Sequence, residues 1–163
     1  MYCVSGARLQ SAALPYRFDG AGRPEILLVT SARTGRWTIP KGSVEPHLSM
    51  AENAAKEALE EAGIVGAVAL RSSGAYRTPK RAGRGEIAIE VWVYLLRVAR
   101  RLDDWPEKRE RRVRWVSCAT AARLLKEPLL RALCRQLSEA HGAPLVALRP
   151  TTARGKQLRQ ALG

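Results

Sequence analysis

The sequence predicts an α/β fold, a mixed β-sheet sandwiched between α-helices (α/β/α). Three observations predict it. Two long apolar runs, at 24–30 and 87–98, have the composition of buried strands. A single capped helix, at 49–62, lies between them in the chain. A further short strand is followed by two helices at the end of the apolar patterning. At 163 residues the chain suffices for one domain with a sizeable core and leaves little for a second.

Residues 11–17 read as a short strand, ended by a turn over Phe18-Asp19-Gly20-Ala21-Gly22. Pro24-Glu25-Ile26-Leu27-Leu28-Val29-Thr30 is a largely apolar run, as expected for a strand buried on both faces. Thr34-Gly35-Arg36 then turns the chain into Trp37-Thr38-Ile39-Pro40-Lys41-Gly42. From Ser49 the period changes to that of a helix. Ser49 with Glu52 forms a capping-box pattern, and Gly63 is a natural stop. Ala51, Ala54, Ala55, Ala58 and Ala62 make a face of small residues that lets this helix approach a sheet closely.

Residues 71–86 form a basic, Gly-containing loop or hairpin with Arg77, Lys80, Arg81 and Arg84. Residues 87–98 are the longest strand candidate, rich in β-branched and aromatic side chains. Trp105-Pro106 interrupts the chain, 112–116 read as a strand, and helices are expected at 118–126 and 128–141. The expected division is one domain over 1–141 and a basic tail over 142–163, where Arg149, Arg154, Lys156 and Arg159 have no acidic neighbour.

The charge is unusual. Lys and Arg number 28 against 15 Asp and Glu, a net +13, which attracts polyanions: phosphorylated small molecules or nucleic acid. A bias of composition toward Arg is the competing explanation. Cys3, Cys118 and Cys134 are scattered without a CxxC pair, and His47 and His141 are isolated. Neither a zinc site nor a nucleophilic triad is therefore expected. No apolar run reaches the ~20 residues of a membrane span, so no membrane partner is expected and a cytoplasmic location is the default.

Glu57, Glu60 and Glu61 carry the chemistry. Offsets of three and four residues bring them to one side of a helix, about 5–6 Å apart at Cβ. Like charges this close repel unless something positive sits among them. A hard divalent cation such as Mg²⁺ favours carboxylate oxygens and keeps several waters, one of which can become a nucleophile. The competing reading is a solvated acidic helix face. This cluster, however, is the dense acidic patch of a basic chain, set between a Pro-Lys-Gly loop and a helix-stopping Gly.

The segment from Gly42 to Ile64 resembles the Nudix box, which runs Gly, five residues, Glu, seven residues, then Arg-Glu-apolar-x-Glu-Glu-x-Gly-apolar. Here Glu57-Ala58-Leu59-Glu60-Glu61-Ala62-Gly63-Ile64 matches every specified position of the ending. Leu48 and Lys56 stand where the family usually has Glu and Arg. Those two residues mainly pair with each other, so the departures bear on loop rigidity more than on metal binding. Glu45 or Glu52 can supply a substitute contact.

The resemblance implies a Nudix fold and a hydrolase. Glu57 and Glu61, with the Gly42 carbonyl, would bind Mg²⁺ (or Mn²⁺). Glu60 would hold a further ion through water or act as the base, which makes Glu57 and Glu60 the catalytic candidates. Glu107 and Glu110 are alternative bases. The implied reaction is attack of water on a phosphoanhydride.

Outside the box, residues 27–42 and the stretch from Trp105-Pro106 through Arg114-Trp115-Val116 are similar to the diphosphoinositol polyphosphate phosphohydrolase branch. In that branch basic residues grip a crowded polyphosphate. Arg8, Arg33, Arg36 and Lys41 are placed to do this, with Arg77 and Lys80 as further candidates. Diphosphoinositol polyphosphates and dinucleoside polyphosphates are the expected substrates. Nucleoside polyphosphates, RNA 5′-ends, or an RNA-binding module without strong catalysis are the alternatives. Trp37 and Tyr76 either stack on a nucleobase or belong to the core. Glu90, alone in an apolar strand, faces either the metal site or a polar edge.

Overall fold

The structure, a computed structural model, describes residues 3–4 and 6–140. Its sheet is built on two long strands, β2 (Ala7–Phe18) and β8 (Gly85–Arg101), which run parallel from Arg8↔Ile89 to Tyr16↔Arg97. Around them lie β1 (Cys3–Val4), β3 (Pro24–Thr30), β4 (Trp37–Thr38), β5 (Lys41–Ser43), β6 (Ile64–Val68), β7 (Gly74–Ala82) and β9 (Val113–Ser117). All of these join the sheet by antiparallel pairing, so the sheet is mixed as expected. Three helices complete the described residues: α1 (Met50–Ala62), α2 (Cys118–Leu124) and α3 (Pro128–Glu139).

Side-chain alternation along the central strands makes two cores. Ala12, Leu14, Tyr16, Ile26, Leu28, Ile89, Val91 and Val93 point to one face, where they pack with Leu125, Leu130 and Leu137 of the α2–α3 segment. Ala13, Leu27, Val29, Tyr94 and Leu96 point to the other, against Ala51, Ala54, Ala58 and Ala62 of α1. Burial on both faces is why these strands read as continuous apolar runs rather than as alternating ones. The two faces differ in kind. Large side chains hold α3 on its face, while alanines bring the α1 backbone close to the sheet.

Helix α1 has the ends its sequence implies. The Ser49 hydroxyl accepts from the Glu52 N–H at 3.2 Å, and the Glu52 carboxylate accepts from the Ser49 N–H at 2.8 Å. Gly63 ends the helix in the left-handed region at φ 66°, where a side chain is strained. A Cβ there would also lie 2.6 Å from the Trp105 ring.

The remaining differences from the sequence expectation are local. The strand expected at 11–17 extends to Ala7–Phe18, and the basic stretch at 71–86 is a hairpin, with β7 paired to β8 from Gly74↔Val93 to Ala82↔Gly85. The last helix ends at Glu139. Four short strands, β1, β4, β5 and β6, carried no assignment. Residues 142–163, expected as a basic tail, lie outside the described residues. No described helix is long and apolar enough to cross a membrane.

Candidate active site

Strand β5 places Gly42 against helix α1. Its backbone pairs with β2 through Ser11↔Gly42 and Ala12↔Lys41, and a Cβ built on Gly42 would lie 2.1–2.4 Å from the Glu57 carboxyl atoms. Glycine here leaves room for the end of the Glu57 side chain, which any larger residue would displace. Burial pushes the Glu57 carboxyl up to about 7, against the opposing pull of Lys56.

One turn further along, Glu61 is buried. One carboxylate oxygen, Oε1, takes an ion pair from Arg111 at 2.7 Å. The other, Oε2, is buried without any hydrogen-bond partner. Burial raises this carboxyl to about 7 as well, with Arg111 and Lys41 opposing. The segment between β8 and β9 delivers Arg111. Its Leu102 N–H bonds the Gly63 carbonyl at 2.8 Å and its Glu107 N–H bonds the Glu60 carbonyl at 3.0 Å. Trp105 lies against Gly63, so the carbonyls at the helix end are satisfied by this clamp. Arg111 then bridges Glu61, Glu107 and the Thr30 carbonyl.

The loop entering α1 is held by contacts that replace the usual Glu–Arg pair. Lys56 Nζ contacts Glu45 at 3.1 Å and Glu60 at 2.6 Å. Desolvation pulls the Lys56 ammonium down, but its bonds to Glu60 and Glu45 outweigh this and leave it above the ordinary lysine range. Of the two substitutes expected for Leu48, Glu45 makes the contact, while Glu52 is occupied in the cap. A second tie went unread in the sequence. Buried Asn53 donates to Ser11 Oγ at 2.9 Å and accepts from the Glu45 N–H at 3.1 Å, joining loop, strand and helix.

The basic candidates separate into groups. Lys41 is partly buried, with Nζ 3.1 Å from Thr38 Oγ1. Burial lowers its pKa, and Glu61 and Glu127 oppose this. Arg36 pairs with Glu127 at 3.0 Å. Arg77 lies on β7 and pairs with Glu90 at 3.0 Å. Glu90 also accepts from the Trp92 indole, so it serves a polar edge of the hairpin. Arg8, Arg33 and Lys80 are exposed. Trp37 and Tyr76 are both partly buried and pack against the α3-side core. Glu107 is engaged by Arg111, and Glu110 is exposed.

The residues fit a divalent cation in two respects. Glu61 Oε2 is a buried hard oxygen without a partner, and Glu57 has room only because residue 42 lacks a side chain. Among the described residues no three His, Cys, Asp or Glu side chains converge on one point. Two glutamates with a backbone carbonyl and water match the way Mg²⁺ is bound, since it retains waters and rarely has an all-protein cage.

The chain is similar to known proteins in sequence and in fold. The chain is 30% identical over 133 residues to Nudix hydrolase 21, chloroplastic, of Arabidopsis thaliana, covering 80% of this chain and 66% of the relative. It is 31% identical over 128 residues to diphosphoinositol polyphosphate phosphohydrolase 2 of Rattus norvegicus, covering 77% of this chain and 66% of the relative. It thus spans 66% of the length of each of these two relatives. The Caenorhabditis elegans Ap4A hydrolase in a binary complex has a similar fold, with TM-score 0.59 at 21% identity over 82% of this chain and 96% of that one. The family model described as the NUDIX domain matches residues 8–137, and the chain belongs to the Nudix hydrolase family.

Proposed function

We propose that this chain is a metal-dependent pyrophosphohydrolase that cleaves a phosphoanhydride bond in a polyphosphorylated small molecule, a diphosphoinositol polyphosphate or a dinucleoside polyphosphate. The observation that carries this reading is the pair of carboxylates on α1. Glu57 lies against Gly42, and Glu61 keeps a buried oxygen without a partner. Glu57, Glu61 and the Gly42 carbonyl would hold Mg²⁺ or Mn²⁺, with Glu60 as a further ligand through water. When bound, the cation polarises a phosphoryl oxygen and acidifies the attacking water.

The chain's own groups do the rest. Water attacks phosphorus, the bond from phosphorus to the bridging oxygen breaks, and the leaving phosphate keeps the electron pair. The proton passes to a carboxylate of α1, Glu60 or Glu57. Arg36 and Lys41 hold the phosphate chain, as fork and point charge. Arg8, Arg33, Arg77 and Lys80 extend the positive field that steers it in. We place the hydrolase unit within 1–141, so removal of 142–163 should leave turnover intact.

The names of the relatives support these substrate classes. The test is a panel of diphosphoinositol polyphosphate, diadenosine tetraphosphate and capped or triphosphorylated RNA with Mg²⁺, comparing wild type with Glu61→Gln. Turnover of the small molecules that disappears in the variant is the expected result. No turnover of any pyrophosphate, beside tight and salt-dependent RNA binding, would overturn the hydrolase reading in favour of an RNA-binding module.

A further inference from the structure

A second polar group, whose charge reaches Lys41 as that of the carboxylate helix does, is not used by the metal chemistry. Glu127 stands at the N-cap of α3 but makes no capping bond. Its carboxylate turns instead to Arg36, with Oε1 at 3.0 Å from the guanidinium. The side chain is only 12% exposed, and Oε2 is buried with no partner. Tyr76 contributes a second such atom. Its ring packs into the α3-side core, while its hydroxyl is buried and unpartnered. Burial, and then the charge of Glu127, raise the phenol's pKa. Lys41 feels both Glu61 and Glu127, so this group and the carboxylate helix share one basic centre.

Two buried polar atoms without partners, Glu127 Oε2 and the Tyr76 hydroxyl, on side chains close enough for the charge of one to act on the other, are costly unless something completes them. Their chemistry restricts what that can be. An ionised carboxylate only accepts hydrogen bonds, and it repels phosphate. A phenol can donate one. A nucleoside offers amine and hydroxyl groups that match both. A fully phosphorylated inositol ring offers only more anions. We propose that Glu127, with Tyr76 and Arg36, forms a subsite for the unphosphorylated, donor-bearing end of the substrate, and so directs this chain to dinucleoside polyphosphates over highly phosphorylated inositols. The assignment rests on the hydrolase reading for its substrate class. In it Glu127 has two roles: it anchors Arg36 for the adjoining phosphate through Oε1 and accepts from the nucleoside through Oε2.

The test uses two probes that are not turned over, with Mg²⁺ present: a diadenosine tetraphosphate with methylene-bridged phosphorus atoms, and inositol hexakisphosphate. Affinities are measured for wild type, Glu127→Gln and Tyr76→Phe, with a thermal melt of each to monitor folding. Wild type should prefer the dinucleotide. Glu127→Gln should weaken the dinucleotide by about tenfold or more and leave inositol hexakisphosphate unchanged or tighter. Tyr76→Phe should weaken the dinucleotide several-fold with little change in melting. A wild type that prefers the inositol phosphate, or a Glu127→Gln variant that loses both probes equally or neither, overturns the subsite. Hydrolysis of unmodified diadenosine tetraphosphate is measured in parallel. Turnover without this selectivity sinks the subsite alone, and selective binding without turnover sinks the hydrolase reading alone.

Discussion

The two ends of helix α1 are each held by a cation bridging two glutamates, and the two bridges differ in surroundings. At the entrance, Lys56 joins Glu45 and Glu60, with side chains 24%, 35% and 34% exposed. At the exit, Arg111 joins Glu61 and Glu107, and the Arg111 and Glu61 side chains are 14% and 4% exposed. Water screens the first bridge and relieves its loss. The second has little water to replace a missing partner, so its loss leaves the buried Glu61 carboxyl uncompensated. The entrance can therefore depart from the family's usual pairing at low cost, whereas the exit arrangement holds the proposed metal-binding carboxylate in place.

The largest expected effect follows from that contrast. Arg111→Ala should destabilise the metal-free protein by about 3 kcal/mol in urea unfolding, and a loss below that of Lys56→Ala would reverse the ranking of the two ends. Glu57, between the two bridges, tests the burial argument through pH. Its carboxyl lies at about 7 in the fold against an ordinary 4.5, so folding favours the protonated form. That stabilisation is fully present below 4.5 and is lost as pH rises through 7.

Glu57→Gln does not titrate. In chelator, its stability relative to wild type should improve by about 2 kcal/mol between pH 4.5 and 8, discounted for the partial exposure of the group. A flat difference would show that the carboxyl is ordinary. Gly42→Ala sharpens the same point differently. The added Cβ meets the flexible end of Glu57, so melting should shift by only about 2–4 °C, while kcat/KM falls at least about tenfold because the carboxylate is displaced. The smallest effect is expected from Lys56→Ala, about 0.5 kcal/mol.

Much of this was legible in the sequence where one local pattern decides the outcome. The box, both caps of α1 and its alanine face are local, and the structure reproduces them. Strands β3 and β8 were legible because burial on both faces leaves a largely apolar run, and β2 was legible only over 11–17. Strand β6 was not, because Ile64–Val68 is short and contains Gly66. A Cβ on that glycine would lie 2.1 Å from the Arg97 carbonyl, at the irregular step in its pairing with β8.

The partners of the site residues were the least legible part. Arg111 reaches Glu61 from fifty positions away in the chain, and it is one Arg within a basic run, Lys108-Arg109-Glu110-Arg111-Arg112. Glu127 reads as an ordinary residue before a helix-starting proline, and Asn53 as a polar helix position. Their roles come from the sheet bringing distant segments together, and no periodicity records that.

The claim that the carboxylate face of α1 is the metal site is tested most directly by Mn²⁺ titration followed by electron paramagnetic resonance. Wild type, Glu57→Gln, Glu61→Gln and Glu110→Gln would be compared in the absence of substrate. The account predicts that wild type and Glu110→Gln bind Mn²⁺ alike and that both α1 variants lose affinity by at least about tenfold. Equal binding by all four proteins would contradict it.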